Sequence, residues 1–170
     1  MRQFRHSILV AVAALMSVVL AGTALSATQT KIKKIAFVGS YSGQASSKID
    51  SGSSTANLSA TGTGKGTLIG AGSITGTGTA DSSQQPCPPF GGKGTIKGAK
   101  GTIYFTVVSG SKGCGDDGGH NFSLVGYLLV TKATGALAKS KGQLRFTGSY
   151  SRDDGTFSIK LTGTLKKRLS

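Results

Sequence analysis

The densest collection of reactive side chains in this 170-residue sequence is Cys114-Gly115-Asp116-Asp117-Gly118-Gly119-His120. Imidazole and carboxylate oxygens are ordinary metal ligands, so His120 with Asp116 or Asp117 is the candidate metal site. Three features weigh against it. Cys114 has a potential disulfide partner in Cys87, the only other His is His6 in the N-terminal segment, and the Asp residues lack the alternating ligand spacing of a calcium loop. The favoured reading is a solvated loop beside a disulfide, with no cofactor implied.

Other chemistries fare no better. Nucleophilic catalysis needs a nucleophile, a base and an orienting group, and the sequence has no Gly-x-Ser-x-Gly elbow to present one. Asp153 and Asp154 could suggest the paired carboxylates of a glycosidase. Adjacent residues before Gly155 are better read as a hairpin turn, because side chains of neighbours there point apart. No catalytic residue is assigned.

The N-terminus reads as a secretory leader. Arg2, Arg5 and His6 precede an apolar run from Ile8 to Leu20, and Ala24-Leu25-Ser26 supplies small residues for cleavage after Ser26, or after Ala27. The run is short for a bilayer span and Ser17 interrupts it, so no permanent span is expected in the mature protein. The division is therefore a signal peptide, 1–26, and a glycine-rich domain, 27–170, of the size of one ordinary domain. Export places both cysteines in an oxidising compartment, secreted or periplasmic, where Cys87 and Cys114 read as a disulfide.

Charge is the most informative part of the composition. The 20 basic and 6 acidic residues give +14, and loss of Arg2 and Arg5 with the leader lowers that to +12. Lys31, Lys33 and Lys34 open the first strand; Lys166, Lys167 and Arg168 follow the last. If those strands pair, six cations gather at one seam, suited to an anionic cell-envelope polymer or an extracellular polyanion. Lys65, Lys93, Lys97, Lys112, Lys132 and Lys139 read as scattered. The competing explanation is solubility, with charged strands resisting edge pairing.

Strict alternation carries these residues. Phe157, Ile159, Leu161 and Leu165 alternate with Ser158, Lys160, Thr162 and Thr164, the pattern of a strand with one buried face. Leu144, Phe146 and Tyr150 do the same, and Asp154-Gly155 joins the two runs as a hairpin. Eight strands are expected, near 32–42, 53–62, 66–79, 91–98, 101–109, 121–132, 142–150 and 156–166. Short connections favour antiparallel neighbours. The fold class is all-β: a single antiparallel, eight-stranded, calycin-like β-barrel, with a two-sheet sandwich as the alternative. The third run places Gly70, Gly72, Gly76 and Gly78 on the face of Leu68 and Ile74. That many glycines on one face imply sharp coiling, or close approach by another backbone or a large side chain.

Thr134-Gly135-Ala136-Leu137-Ala138-Lys139-Ser140-Lys141-Gly142-Gln143-Leu144, continued by Arg145-Phe146-Thr147-Gly148, resembles a motif of secreted β-barrels. It is similar to the allene oxide cyclase-like and dirigent-like barrels and to exported bacterial proteins of that shape. The resemblance implies a barrel in which Gly135 and Gly142 make tight turns and Leu137 acts as a plug. The polar interior residues those families use for cyclisation or radical coupling have no counterpart in this sequence. The expectation is an exported, non-catalytic binding or envelope-associated barrel, with a barrel-cyclase enzyme acting on a small apolar molecule as the alternative. A small apolar ligand in the barrel fits either.

Overall fold

The computed structural model of the protein describes residues 31–49 and 52–169. The leader and both cleavage positions lie outside the described residues. Nine strands follow in order: β1 (Ile32–Ile49), β2 (Thr55–Gly66), β3 (Gly70–Asp81), β4 (Phe90–Gly98), β5 (Gly101–Val107), β6 (Lys112–Gly115), β7 (Asn121–Ala133), β8 (Ser140–Ser151) and β9 (Thr156–Arg168). All pairings are antiparallel, and β1 joins β9 with Lys33 opposite Lys167 and Lys34 opposite Lys166. Pairing of β5 with β7 closes eight strands into a barrel. The fold is a barrel and not a sandwich.

The ninth strand corrects the sequence reading, which took residues 111–119 for a loop. β5 covers Leu128–Ala133 of β7, and β6 continues along the same edge over Phe122–Val125. Ser111 patches the break between them: its hydroxyl donates to the Val108 carbonyl (2.8 Å) and accepts from the Tyr127 N–H (3.2 Å). A four-residue strand of Lys-Gly-Cys-Gly has no alternation to betray it. Only the waiting edge of β7 makes it a strand.

The barrel has two unlike halves. At one end, Ile35, Phe37, Ile69, Ile96, Ile103, Leu137, Leu144, Leu161 and Leu165 pack together, nearly all fully buried. Three connections seal that end. The Lys100 N–H donates to the Ile69 carbonyl (3.2 Å), and the Ala136 N–H to the Lys100 carbonyl (2.8 Å). The Lys167 ammonium donates to the Ala136 carbonyl (3.1 Å). Leu137, on the short 3-10 turn Gly135–Leu137, closes the floor with no exposed surface, as its place in the motif implies. The opposite end is the mouth, bounded by the 82–89 connection, the 116–120 loop and the β8–β9 hairpin.

A second correction concerns Leu68. The sequence placed it in the third strand on the same face as Ile74, but β2 ends at Gly66, paired with Gly70, and Leu68 sits in the turn between them. It has φ of 66° and is 47% exposed. The glycine face of β3 begins two residues later, and half of it, Gly72 and Gly78, is there for close approach. A Cβ on Gly72 would fall on the Lys97 carbonyl, and one on Gly78 on the Gly91 carbonyl. The outward face carries mostly Thr, Ser and Lys, as on β3, where Ser73, Thr75, Thr77 and Thr79 alternate with the inward set. Among the described residues no helix is long and apolar enough to cross a membrane.

Candidate functional site: an apolar cavity below the mouth

The mouth half of the barrel is not filled. A cavity of about 240 Å³ lies between Ile74 on its floor and Gln85 and Arg152 at its rim. Its walls have two characters. β7, β8 and β9 contribute Phe122, Leu124, Leu128, Phe146, Tyr150, Phe157 and Ile159, with Phe105 and Val107 from β5 and Phe90 from β4. β1, β2 and β3 face them with Ala45, Ala60, Gly76, Gly78 and Ala80. Bulky residues crowd one wall, and the other, apart from Ile49, Leu58 and Ile74, offers mainly small side chains, which leaves the space between.

Gly76 differs from its neighbours. A Cβ there would meet only the Lys93 carbonyl, at 3.5 Å, an ordinary contact, and its backbone is not left-handed. Neither the sheet nor the turn geometry requires glycine at this position. What a side chain at Gly76 would occupy is the cavity.

The inward lining is carbon-rich. Two buried hydroxyls without a hydrogen-bond partner, Tyr41 and Ser140, belong to the sealed half rather than to the cavity. Tyr41 lies against Gly64 and Gly66, and burial pushes its phenol up to about 12. At the rim, the Arg152 guanidinium lies 4.8 Å over the Phe122 ring. No carboxylate lies within ion-pair distance of it among the described residues; the one ion pair there joins His120 to Asp153.

The sequence-predicted residues fall at both ends. Cys87 and Cys114 are joined as a disulfide. Cys114 lies in β6 and not in a loop, so the bridge ties the 82–89 connection to a strand at the mouth. The Gly113 and Gly115 N–H groups donate to the carbonyls of Pro88 (3.2 Å) and Pro86 (2.8 Å) alongside it.

The metal candidates do not converge, and among the described residues no group of three such ligands forms. Asp116 accepts from the His120 N–H (2.8 Å), the Asn121 N–H (3.2 Å) and the Asn121 side-chain amide (3.0 Å), which together order the loop. These bonds hold its carboxyl below the usual range, led by the Asn121 amide. The His120 ring turns instead to Asp153 in the β8–β9 hairpin, with Nδ1 2.7 Å from Oδ1. Asp154 accepts from the Thr156 N–H and hydroxyl, so the adjacent carboxylates do point apart.

The hydrogen bond to Asp153, and then its charge, raise the His120 pKa above the ordinary value. A raised folded-state pKa means the pair's contribution is complete below the unfolded pKa and is lost as pH rises through the folded one. Titration of the His120 ring resonances should therefore give a pKa above that of an unstructured peptide, and Asp153→Asn should return it. An unchanged midpoint in the variant would refute the pairing.

The basic residues are more widely gathered than the sequence suggested. The β1–β9 pairing does bring the six together, but alternation splits them. Lys34, Lys166 and Arg168 share the outer face with Ile32, while Lys31, Lys33 and Lys167 follow the inner face past Ile35 and Leu165. Lys65, Lys97, Lys132 and Lys139, read as scattered, stand near strand ends or in the connections of the same sealed end, with Lys100 and Lys141. Lys93 and Lys112 do not. Lys141 faces Lys166 across β8–β9 and donates to the Thr131 carbonyl.

The cavity lining went unread because its members are spread over all nine strands and look locally like any core. The surplus of glycines on β3 was the available signal, and only Gly76 among them marks the space. No protein-family model and no curated protein matches the chain. A solved structure of pyocyanin demethylase is similar over 76% of this chain and 100% of its own, at 16% identity and a TM-score of 0.46, which carries no argument about fold or activity.

Proposed function

We infer that the domain is an exported, non-catalytic binding protein that holds a small, largely apolar molecule in the mouth half of its barrel. The observation that carries this reading is the cavity of about 240 Å³, walled by aromatic rings on one side and by Gly76 and alanines on the other. A dry cavity of about 150 Å³ accepts benzene, so this one has room for a two-ring body. Disulfide bonding at the mouth fits an oxidising compartment. A cyclase would need polar groups aimed at the reacting atoms; the inward lining is mostly rings, aliphatic carbons and glycine, with the Tyr150 phenol among its few polar groups. Arg152 at the rim supports a preference for one anionic or hydrogen-bond-accepting group on an otherwise apolar ligand.

Calorimetric titration with 2-naphthoate and with neutral 2-naphthalenemethanol tests the reading. Both should bind, the carboxylate more tightly, and Arg152→Gln should remove the difference. Gly76→Leu should weaken both by at least about tenfold while the melting profile persists, because the new side chain fills space without clashing with backbone. Equal binding by parent and Gly76→Leu would place any ligand elsewhere.

A further inference from the structure

The charges of this barrel are sorted by end. Of the six acidic residues, the five that are described, Asp81, Asp116, Asp117, Asp153 and Asp154, all lie at the mouth. Asp50, outside the described residues, falls between β1 and β2. The sealed end carries twelve cations, the six of the seam with Lys65, Lys97, Lys100, Lys132, Lys139 and Lys141, and no side-chain carboxylate among the described residues. Solubility does not require this segregation. It also works against the sheet, because like charges directly opposite in a ladder destabilise it, and Lys33–Lys167, Lys34–Lys166 and Lys141–Lys166 are such pairs.

Two apolar side chains project from the same end. Leu68, 47% exposed, occupies the tip of the β2–β3 turn, and Ile32, 56% exposed, begins β1 beside Arg168. Leu68 holds φ of 66°, a conformation glycine adopts freely and a bulky residue rarely does. A leucine both strained and exposed contributes nothing to the fold that glycine would not supply better.

We propose that the sealed end docks on an anionic lipid bilayer, with its lysines on the headgroups and Leu68 and Ile32 reaching the interface, leaving the mouth toward solvent. Lipid is favoured over a soluble polyanion because a polymer of phosphates gives exposed leucine and isoleucine tips nothing to bury against. Basic residues near such a surface each add to attraction that salt screens, and apolar tips add binding that salt does not. The inference is independent of the cavity's ligand.

The test is co-sedimentation of the exported protein with vesicles of phosphatidylglycerol and phosphatidylcholine, with pure phosphatidylcholine and soluble polyphosphate as the other arms. Binding should require phosphatidylglycerol and weaken as salt rises. Changing Lys33, Lys34, Lys65, Lys100 and Lys166 to Gln should reduce it by at least about a hundredfold. The same charge removed at Lys48, Lys93, Lys112, Arg145 and Lys160 should reduce it by less than about tenfold. Leu68→Gly is the discriminating variant: it should raise the melting temperature by relieving strain, yet lower vesicle affinity about threefold or more and leave polyphosphate binding unchanged. Equal loss in both five-residue variants would overturn the proposal by making the attraction a matter of net charge. Unchanged vesicle binding in Leu68→Gly would overturn it by removing the lipid contact.

Discussion

Leu161→Ala should destabilise the protein by about 2–5 kcal/mol, about twice or more the cost of Ile159→Ala two residues away on the same face of the same strand. Leu161 is fully buried in the sealed half, where every neighbour is already in contact and truncation leaves a closed void. Ile159 borders the existing cavity, so shortening it enlarges a space that is already open and loses mainly transfer free energy, roughly 1–2 kcal/mol. Urea unfolding followed by circular dichroism measures both, and an unchanged slope would show that the native and unfolded states stay comparable. Equal costs would mean that the mouth half closes up in solution, and the binding reading would fall with the cavity.

Removing the Cys87–Cys114 bridge should be the other large effect. The cysteines are 27 residues apart, and closing a loop of that size restricts the unfolded chain by about 3–4 kcal/mol. The double Cys87→Ser, Cys114→Ser variant should accordingly melt roughly 10–15 °C lower. The loss should begin at the mouth, since the bridge holds the 82–89 connection against β6, a strand of only four residues. Hydrogen exchange at Gly113 and Gly115, whose amides donate to Pro88 and Pro86, should accelerate before exchange in β1 or β9. A variant as stable as the parent would show that the backbone pairing of β6 alone secures the mouth.

These expectations concern opposite ends of one barrel, and the asymmetry between the ends is what function would use. A filled lower half supplies the stability that an unfilled upper half gives up. Phe105, Phe146 and Phe157 lie where the two meet, buried on the core side and facing the cavity on the other. The charge sorting runs along the same axis, with carboxylates ordering the turns of the mouth and lysines crowding the sealed end.

Much of the fold was legible in the residues. Alternation in β8 and β9 and the Asp154-Gly155 turn identify that hairpin because both the period and the left-handed glycine are local properties. Inward faces of most strands follow from the same period of two. The disulfide followed from two cysteines in a chain whose sequence reads as exported, which is a matter of chemistry and compartment. Leu137 could be named as the plug because the flanking glycines restrict where its short turn can go.

What the residues did not contain is how the ends of the strands assemble. β6 has no pattern of its own and exists because β7 offers an unpaired edge. Leu68 follows the alternation of β3 in the sequence, yet the pairing of Gly66 with Gly70 turns it out to solvent. Gly72 and Gly78 lie under carbonyls of β4 while Gly76, between them, lies beside empty space; one-dimensional spacing treats the three alike. Lysines as far apart as Lys34, Lys100 and Lys166 share an end only because antiparallel strands return to it at every second connection. Alternation along a strand sets which way a side chain points, but its neighbours are set by closure, and the cavity and the charged end are both products of neighbours.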